Sequence, residues 1–296
     1  MIAFVTSLRA RALAGDKWEY HVWLLERVVH SMLAQERGEI RVVVACHDLP
    51  ETALSRDPRV HFERLSVAIP ERDFDDMAVD KVLKLSAGAR RAAAQGCRFV
   101  VFNDADDLVS NRIGAHVTER PDANGWYAVS QMFYTYGGRL MRRQRIADPA
   151  SGPCVVVRSD LLTFDRPPFD RSPWARMVAA GGEQRYLDLL ARHQAEVCIL
   201  AAVGIAYYRS FMAGAGFPLD PLPFPANVVI NHADSMSTTG GTHGYQRLSS
   251  LGSLKRSLRW LPTLRYVTAQ ARREFHIPDT AAIPPQYRGG ASVFWR

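Results

Sequence analysis

The sequence predicts an α/β fold with a mainly parallel central sheet, helices on both faces of that sheet, and a smaller antiparallel part. Strand-like and helix-like segments alternate over the first 102 residues. Residues 40–46 are almost entirely apolar and β-branched, which is typical of a parallel strand covered on both faces. After residue 110 the pattern changes, because two strand-like segments flank Gly137-Gly138. Paired glycines in that position favour an antiparallel hairpin.

The first half of the chain supplies the strands of the predicted parallel sheet. They cover residues 2–6, 40–46, 60–65 and 99–102, with helices running from Asp16 to near Gly38 and over 80–95. Asp16 and Glu19 have the spacing of a capping box, in which each side chain accepts from the other end of the first turn. Connections between parallel strands then place the helices against the sheet.

The sequence of the second half of the chain predicts a less regular arrangement of helices and strands. We expect a helix over 111–120 with Ser110 as its N-cap, strands within 126–136, 139–145 and 154–158, a helix over 184–193, and a strand within 197–208. Residues 209–243 hold many of the glycines and prolines and are predicted to be irregular. Residues 253–275 predict a basic amphipathic helix, or a pair of helices interrupted at Pro262.

Composition narrows the classes of protein to consider. The 296 residues include no apolar run near the roughly 18 needed to span a bilayer, and the N-terminus lacks a signal sequence, so we expect a cytoplasmic protein. The four cysteines are scattered singly and are expected to be reduced core residues. A net charge of +7 suits nucleic acid, an anionic membrane surface or a polyphosphate ligand.

Three carboxylates directly follow the fourth strand, at Asp104, Asp106 and Asp107. The carboxyl end of such a strand is where open α/β sheets bind ligands. Two unit charges about 4 Å apart repel by about 4 kcal/mol at an effective dielectric near 20, so either one acid is protonated or a cation lies among them. Oxygen ligands suit Mg²⁺ or Mn²⁺. The alternative is an ordinary loop, since Asp is common in turns.

The strand followed by Asp104-Ala-Asp106-Asp107-Leu108 resembles the Asp-x-Asp signature of the metal-dependent GT-A glycosyltransferases, in particular those of family 2. The resemblance implies a nucleotide-diphosphate sugar as donor, UDP-linked, with Mn²⁺ or Mg²⁺ as cofactor. It assigns Asp104 to the ribose and the metal shell, and Asp106 to direct coordination of the metal.

The same resemblance implies a third metal ligand, His232, which follows a later apolar run. A neutral imidazole favours Mn²⁺ over the harder Mg²⁺. The alternative is a structural histidine hydrogen-bonded to Asp234.

The resemblance also implies that the rim formed by the first two strands binds the nucleotide-sugar, through Thr6, Ser7, Arg9 and Asp48. Capping and turn formation are the structural alternative for each of them. Of two lysines one turn apart on the helix before the acidic strand, Lys84 is expected to approach the phosphates or the base, and Lys81 to lie on a solvated face.

An inverting transfer needs a carboxylate near the acceptor hydroxyl. Glu183 is our candidate catalytic base, because it follows Gly181-Gly182 at the start of a predicted helix and resembles the first acid of the family 2 Glu-Asp pattern. Gln184 replaces the second acid. Asp165, Asp170 and Asp188 are the other candidates, and an acid stabilised at a helix N-terminus is the structural alternative.

These expectations give one GT-A catalytic domain over 1–245, with a nucleotide-binding half (1–110) and an acceptor half (111–245), followed by a basic helical segment and tail (246–296). The acceptor is expected to be a polysaccharide or a lipid-linked glycan. The basic segment fits peripheral contact with the inner face of the membrane, and equally a solvated helix packed on the domain.

Two other functions share some of these features. Asp-x-Asp after a strand also opens the haloacid-dehalogenase phosphohydrolases, but that family expects Thr or Val where Leu108 stands, and a motif near the start of its domain. A basic nucleic-acid-binding protein would suit the net charge, but the sequence contains no recognised binding module.

Overall fold

The computed structural model describes residues 1–69, 74–146, 154–162, 208–231 and 261–288. These residues form a mixed α/β structure with two sheets. The α-helices are α1 (Arg11–Ala14), α2 (Trp18–Leu33), α3 (Phe74–Ala94), α4 (Ile113–Glu119), α5 (Tyr208–Gly214) and α6 (Ala269–Phe275). The strands are β1 (Ile2–Ser7), β2 (Ile40–Cys46), β3 (Val60–Arg64), β4 (Phe99–Phe102), β5 (Asp107–Val109), β6 (Gly125–Tyr127), β7 (Ser130–Tyr134), β8 (Leu140–Arg145), β9 (Val155–Arg158), β10 (Asp220–Pro221), β11 (Asn227–Ile230) and β12 (Leu264–Tyr266).

The larger sheet has seven strands in the order β10-β6-β9-β4-β1-β2-β3. Strands β3, β2, β1 and β4 are parallel, and β9 runs antiparallel to both β4 and β6. The chain moves outward from β1 to β2 and β3, and then returns to place β4 on the other side of β1. The strand order therefore reverses between β1 and β4, and open α/β sheets bind ligands at the carboxyl ends of strands at such a reversal.

Alternating side chains attach helices to both faces of this sheet. Phe4 points into a core shared with α2, whereas its neighbour Val5 points into a core shared with α3. The same alternation is seen in β4, where Val101 faces the first core and Phe102 the second. Period-two alternation between two apolar layers is what a strand buried on both faces produces.

The smaller sheet has five strands in the order β12-β8-β7-β11-β5. β7 and β8 form the antiparallel hairpin around Gly137-Gly138, in register from Ser130↔Arg145 to Tyr134↔Met141. β11 runs parallel to β7 and antiparallel to β5. The start of β5 therefore lies at the same sheet edge as the ends of β11 and β7.

The predicted strands of the first half, the 80–95 helix, the hairpin and the strand at 154–158 are confirmed, with small changes of boundary. The capping box is wrong. Gly15–Lys17 is a 3-10 turn that continues from α1, so Asp16 lies inside a helical segment, and the N-cap of α2 is Lys17 without a side-chain cap.

Three other local predictions need correction. The N-cap of α4 is Arg112, although the Ser110 hydroxyl still accepts from the Arg112 N–H at 3.3 Å. The stretch predicted to be irregular contains α5, β10 and β11 in its described part. In residues 261–275, the described part of the predicted basic helix or helix pair, β12 precedes α6 and pairs with β8 as an edge strand, so pairing across the sheet overrides the helical pattern there.

Cys46, Cys97 and Cys154 are buried free thiols, as predicted. In the part of the chain that the structure describes, no helix combines the length and the apolar composition needed to cross a bilayer. The predicted elements at 184–193 and 197–207, and the candidates Glu183 and His232, lie outside the described residues. The domain boundaries at 110 and 245 stay predictions.

Candidate functional site

The candidate site lies at the carboxyl ends of β1 and β4, where the strand order of the larger sheet reverses. The Asn103 N–H donates to the Val5 carbonyl at 3.1 Å, so the chain leaving β4 starts beside the end of β1. Thr6 and Ser7, predicted as rim residues, close β1 at this edge. The structure thus brings Thr6 and Ser7 to the same edge of the sheet as the acidic loop.

Asn103 shapes the acidic loop. Its side-chain Nδ2 donates to the carbonyl of Asp104 at 2.8 Å and to that of Asp107 at 2.6 Å, and the Asp107 N–H bonds back to the Asp104 carbonyl at 3.3 Å. Asn103 is buried, and its Oδ1 has no hydrogen-bond partner within the described structure. One buried amide therefore holds the three acids in a tight turn and leaves an unused acceptor there.

The three carboxylates occupy different environments. Asp104 and Asp106 are half-buried, whereas Asp107 is only 4% exposed. The Asp107 carboxylate accepts from Asn227 Nδ2 at 3.4 Å and from the backbone N–H of Ile230 on β11. Burial, followed by repulsion from Asp106 and Asp104, raises the pKa of Asp107 well above its usual range, against the opposing effect of Lys81.

Lys81 lies against the acids. Its Nζ is 2.5 Å from Asp104 Oδ1, and its side chain is 31% exposed. Burial opposes the charged ammonium, but attraction to Asp104, the hydrogen bond to it, and the charges of Asp106 and Asp107 outweigh burial and raise the pKa of Lys81. The expectation of an ordinary solvated helix face for Lys81 is therefore wrong.

Lys84 lies one turn further along α3, in a buried network. Its Nζ is 2.6 Å from Asp80 Oδ2, and Asp80 Oδ1 is 2.6 Å from His47 Nε2. Lys84 is only 1% exposed. This network ties α3 to the residue that follows β2. The assignment of Lys84 to nucleotide binding stays a prediction, but its ammonium is already engaged by Asp80.

The other predicted rim residues are placed as follows. Thr6 is fully buried, and its hydroxyl has no hydrogen-bond partner among the residues described. Asp48 Oδ2 accepts from the backbone N–H of Arg11 at 2.8 Å, so the carboxylate that follows β2 caps the start of α1. Ser7 and Arg9 are half-buried. Roles for these four residues in binding a nucleotide-sugar stay predictions.

The smaller sheet contributes further polar groups near the acids. Its edge carries Asp106 before β5, Asn231 after β11, and Thr135 and Tyr136 after β7. Thr135 and Tyr136 are buried, and over the described ranges their hydroxyls have no hydrogen-bond partner. Burial raises the pKa of Tyr136, and nearby groups including Tyr20 and Asp106 add to the rise.

Asp104 and Asp106 are the half-buried carboxylates of the turn and carry the oxygen atoms that could bind a divalent cation, although Asp104 is paired with Lys81 in the structure. Their charges add to the effect of burial in raising the pKa of Asp107, and a cation bound to them would oppose that repulsion. The donor set therefore fits Mg²⁺ or Mn²⁺ in part. Within the described ranges, no three His, Cys, Asp or Glu side chains are grouped closely enough to hold a metal ion.

Sequence reasoning missed the roles of two asparagines and misplaced one lysine in the site. Asn103 and Asn227 position the acidic loop, and Lys81 pairs with Asp104. Asn103 had a usable signal, because a buried strand that ends in Asn before an acidic turn predicts a side chain bonded to that turn. Asn227 had none, because its contact spans 120 residues of sequence.

Comparison with known proteins adds little to this picture. No family model and no curated protein matches the sequence. A solved structure from Desulfovibrio desulfuricans, provisionally described as a nucleotide-diphospho-sugar transferase, is similar with a TM-score of 0.33 and 11% identity, over 88% of this chain and 96% of that chain. A similarity this distant does not indicate the function of the chain.

Proposed function

We propose that this chain is a glycosyltransferase of the GT-A type that transfers a sugar from a nucleotide-diphosphate donor, UDP-linked, with the help of a divalent cation. The observation that carries the proposal is the position of the acidic turn. Asp104, Asp106 and Asp107 follow β4 in one turn, with the Lys81 ammonium paired to Asp104, where the strand order reverses between β1 and β4. The carboxyl ends of strands at such a reversal are where α/β sheets of this kind bind ligands.

The described residues would have different roles in such a site. Asp104 and Asp106 would hold the cation, which as a Lewis acid would stabilise negative charge on the departing diphosphate. Asn103 fixes the turn that carries both carboxylates, and Asp107 anchors that turn to β11 through the Ile230 N–H. Half-buried carboxylates on a rigid turn are pre-organised for a cation.

The remaining assignments belong to the same proposal. His232 is a candidate third ligand, and its preceding strand β11 ends at the sheet edge that carries Asp106. Glu183 is the candidate base that deprotonates the acceptor hydroxyl. The acceptor is proposed to be a polysaccharide or a lipid-linked glycan, reached from the cytoplasmic side of the membrane.

A thermal-shift experiment tests the proposal. A ligand that binds only the folded state raises the unfolding temperature. We expect UDP and UDP-sugars to stabilise the wild-type protein in the presence of Mn²⁺ and much less in EDTA. Asp106→Ala should lose the Mn²⁺-dependent part of this shift. Hydrolysis of UDP-sugar without acceptor provides a second measurement.

Asp122→Ala is the matched control. Asp122 pairs with Arg98, which precedes β4, so it lies at the opposite end of the same strand from the acidic turn. This variant should keep the full Mn²⁺-dependent shift. Equal shifts in Asp106→Ala and the wild type would refute the metal assignment, and the absence of any nucleotide effect on the wild type would refute the proposed function.

A further inference from the structure

We propose that Lys81 binds the diphosphate of the donor, and that its ammonium leaves Asp104 when a divalent cation binds there. The proposal deepens the proposed function and rests on it, because it assumes a nucleotide-diphosphate ligand. It assigns a role to the side chain that is paired with Asp104, the carboxylate that the cation would need.

The first step is the position of Lys81. The residue lies on α3, which packs on β1, β2 and β4, and it points at the turn after β4, where Nζ contacts Asp104 Oδ1. Its side chain is 31% exposed, so solvent and ligands can reach it. Lys84, one turn away, is closed off at 1% exposure and is held by Asp80. Of these two lysines, Lys81 is the one available to a ligand.

The second step concerns charge. Without a cation, the ion pair of Lys81 with Asp104 compensates part of the negative charge of the turn. A divalent cation on Asp104 replaces that compensation and repels the ammonium. The ammonium then needs a new anion within its reach, and a diphosphate bound to the same cation supplies one.

The third step concerns the side chain itself. Lysine carries a compact charge on a flexible stem of four carbons with three rotatable donors. It can therefore turn from a carboxylate to a neighbouring phosphate oxygen without movement of α3. The helix is held against the sheet near Lys81, because Asp80 is bonded to His47, the residue that follows β2. The network thus serves as a rigid support from which Lys81 alone moves.

Isothermal titration with three probes tests this exchange in the full-length chain. UDP and inorganic pyrophosphate are titrated with Mg²⁺ saturating, and Mn²⁺ is titrated alone. We expect Lys81→Met to weaken UDP and pyrophosphate binding by roughly 10- to 100-fold, the loss expected for a charge-assisted hydrogen bond. The same variant should bind Mn²⁺ alone more tightly, because the ammonium no longer competes for Asp104. Lys81→Arg should retain most of the UDP affinity.

Arg91→Met is the control, because Arg91 is also a cation on α3 paired with an acid, Glu63, at 2.6 Å. Arg91→Met should bind all three probes with the affinity of the wild type. Circular dichroism should show that Lys81→Met and Arg91→Met are both folded. If the wild type binds UDP and Lys81→Met binds it equally well, Lys81 has no role and this inference is overturned. If the wild type binds pyrophosphate through Lys81 but shows no preference for UDP, the proposed function fails and the diphosphate role stands. If the wild type binds neither anion, both are overturned.

Discussion

At the scale of single residues, Asp107 is unusual because it is both an acid of the proposed cation site and a core residue. Its side chain is 4% exposed, bonded to Asn227 and to the Ile230 N–H, and close to two other carboxylates. Burial and these like charges favour the protonated form, so the pKa of Asp107 is raised. Without a cation, this acid is better accommodated as a neutral group.

The sign of the resulting pH dependence follows from proton binding. Because the folded state holds this proton more tightly than the unfolded chain, folding stability falls as the pH rises from the ordinary aspartate pKa through the raised one. Asp107→Asn keeps the shape and removes the titration. We therefore expect the variant to be more stable than the wild type near neutral pH in EDTA, with the difference closing as the pH falls toward about 4.

Urea unfolding at a series of pH values measures this difference. The substituted amide can keep its partners, because Asn227 has an unpaired Oδ1 in the described structure and can rotate to accept the new N–H. Asp122→Asn, an exposed acid far from the turn, should show no such pH-dependent gain. A wild type that remains the more stable protein at pH 7 in EDTA would contradict the raised pKa.

At the scale of elements, α3 connects the core to the site. Gly88 lies where the helix comes closest to β1, and a Cβ added there would be 2.5 Å from Val5 Cγ1. The same helix carries Lys81 seven residues earlier, two turns toward the acidic turn. The close approach at Gly88 therefore sets how far Lys81 lies from Asp104.

Gly88→Ala should push α3 away from β1. Overpacking costs about 1–3 kcal/mol, partly offset by a gain of about 1 kcal/mol in helix propensity, so we expect a net loss of stability on chemical unfolding. Nucleotide affinity should fall as well, because Lys81 moves with the helix. Gly214→Ala at the end of α5 is the control, since its Cβ would meet nothing within 4 Å. If Gly88→Ala were as stable as the wild type, α3 could shift away from β1 without an energetic cost, and the contact at Gly88 would not fix the position of the helix.

The same helix shows which features the sequence could predict. The strands followed from local patterns, since runs such as Phe99–Phe102 have one simple interpretation. The choice between Lys81 and Lys84 could not be made in this way. Residues three apart on a helix point in directions about 60° apart, and the rotation of α3 on the sheet is fixed by packing at Gly88 and by the bond from Asp80 to His47.

The acidic turn itself was predictable, whereas its anchoring was not. Asp104 and Asp106 follow an apolar strand directly, and their place at the sheet edge follows from that position alone. The burial of Asp107 depends on β11, which joins β5 from more than 100 residues away. The strand β12 was missed for a similar reason, since a three-residue edge strand exists only through pairing with β8.

At the scale of the whole molecule, one apolar core unites both sheets and the described C-terminal segment. The core on the α2 side includes residues of β1, β2 and β4, residues of β5, β7 and β11, and Phe275, Ile277 and Ile283 near the end of the chain. Hydrogen bonds support the connection, because the Asn111 N–H donates to the Glu274 carbonyl at 2.8 Å and the Ser110 hydroxyl to its carboxylate at 3.0 Å. The segment 261–288 is therefore expected to unfold together with the sheets.

Phe275→Ala tests this cooperativity. Phe275 is 4% exposed in the shared core, so its truncation should cost about 3–5 kcal/mol and lower the stability of the whole protein. Far-ultraviolet circular dichroism and tryptophan fluorescence should still report one coincident transition in urea, because both sheets and the segment 261–288 contribute to the same core on the α2 side. Tyr266→Ala is the matched control, since Tyr266 is 75% exposed on β12 and its loss should change stability by at most about 0.5 kcal/mol. The opposite result would be a separate early transition, and Phe275→Ala would shift only that transition. The segment after residue 245 would then fold as an independent unit, and the site at β1 and β4 would not depend on it.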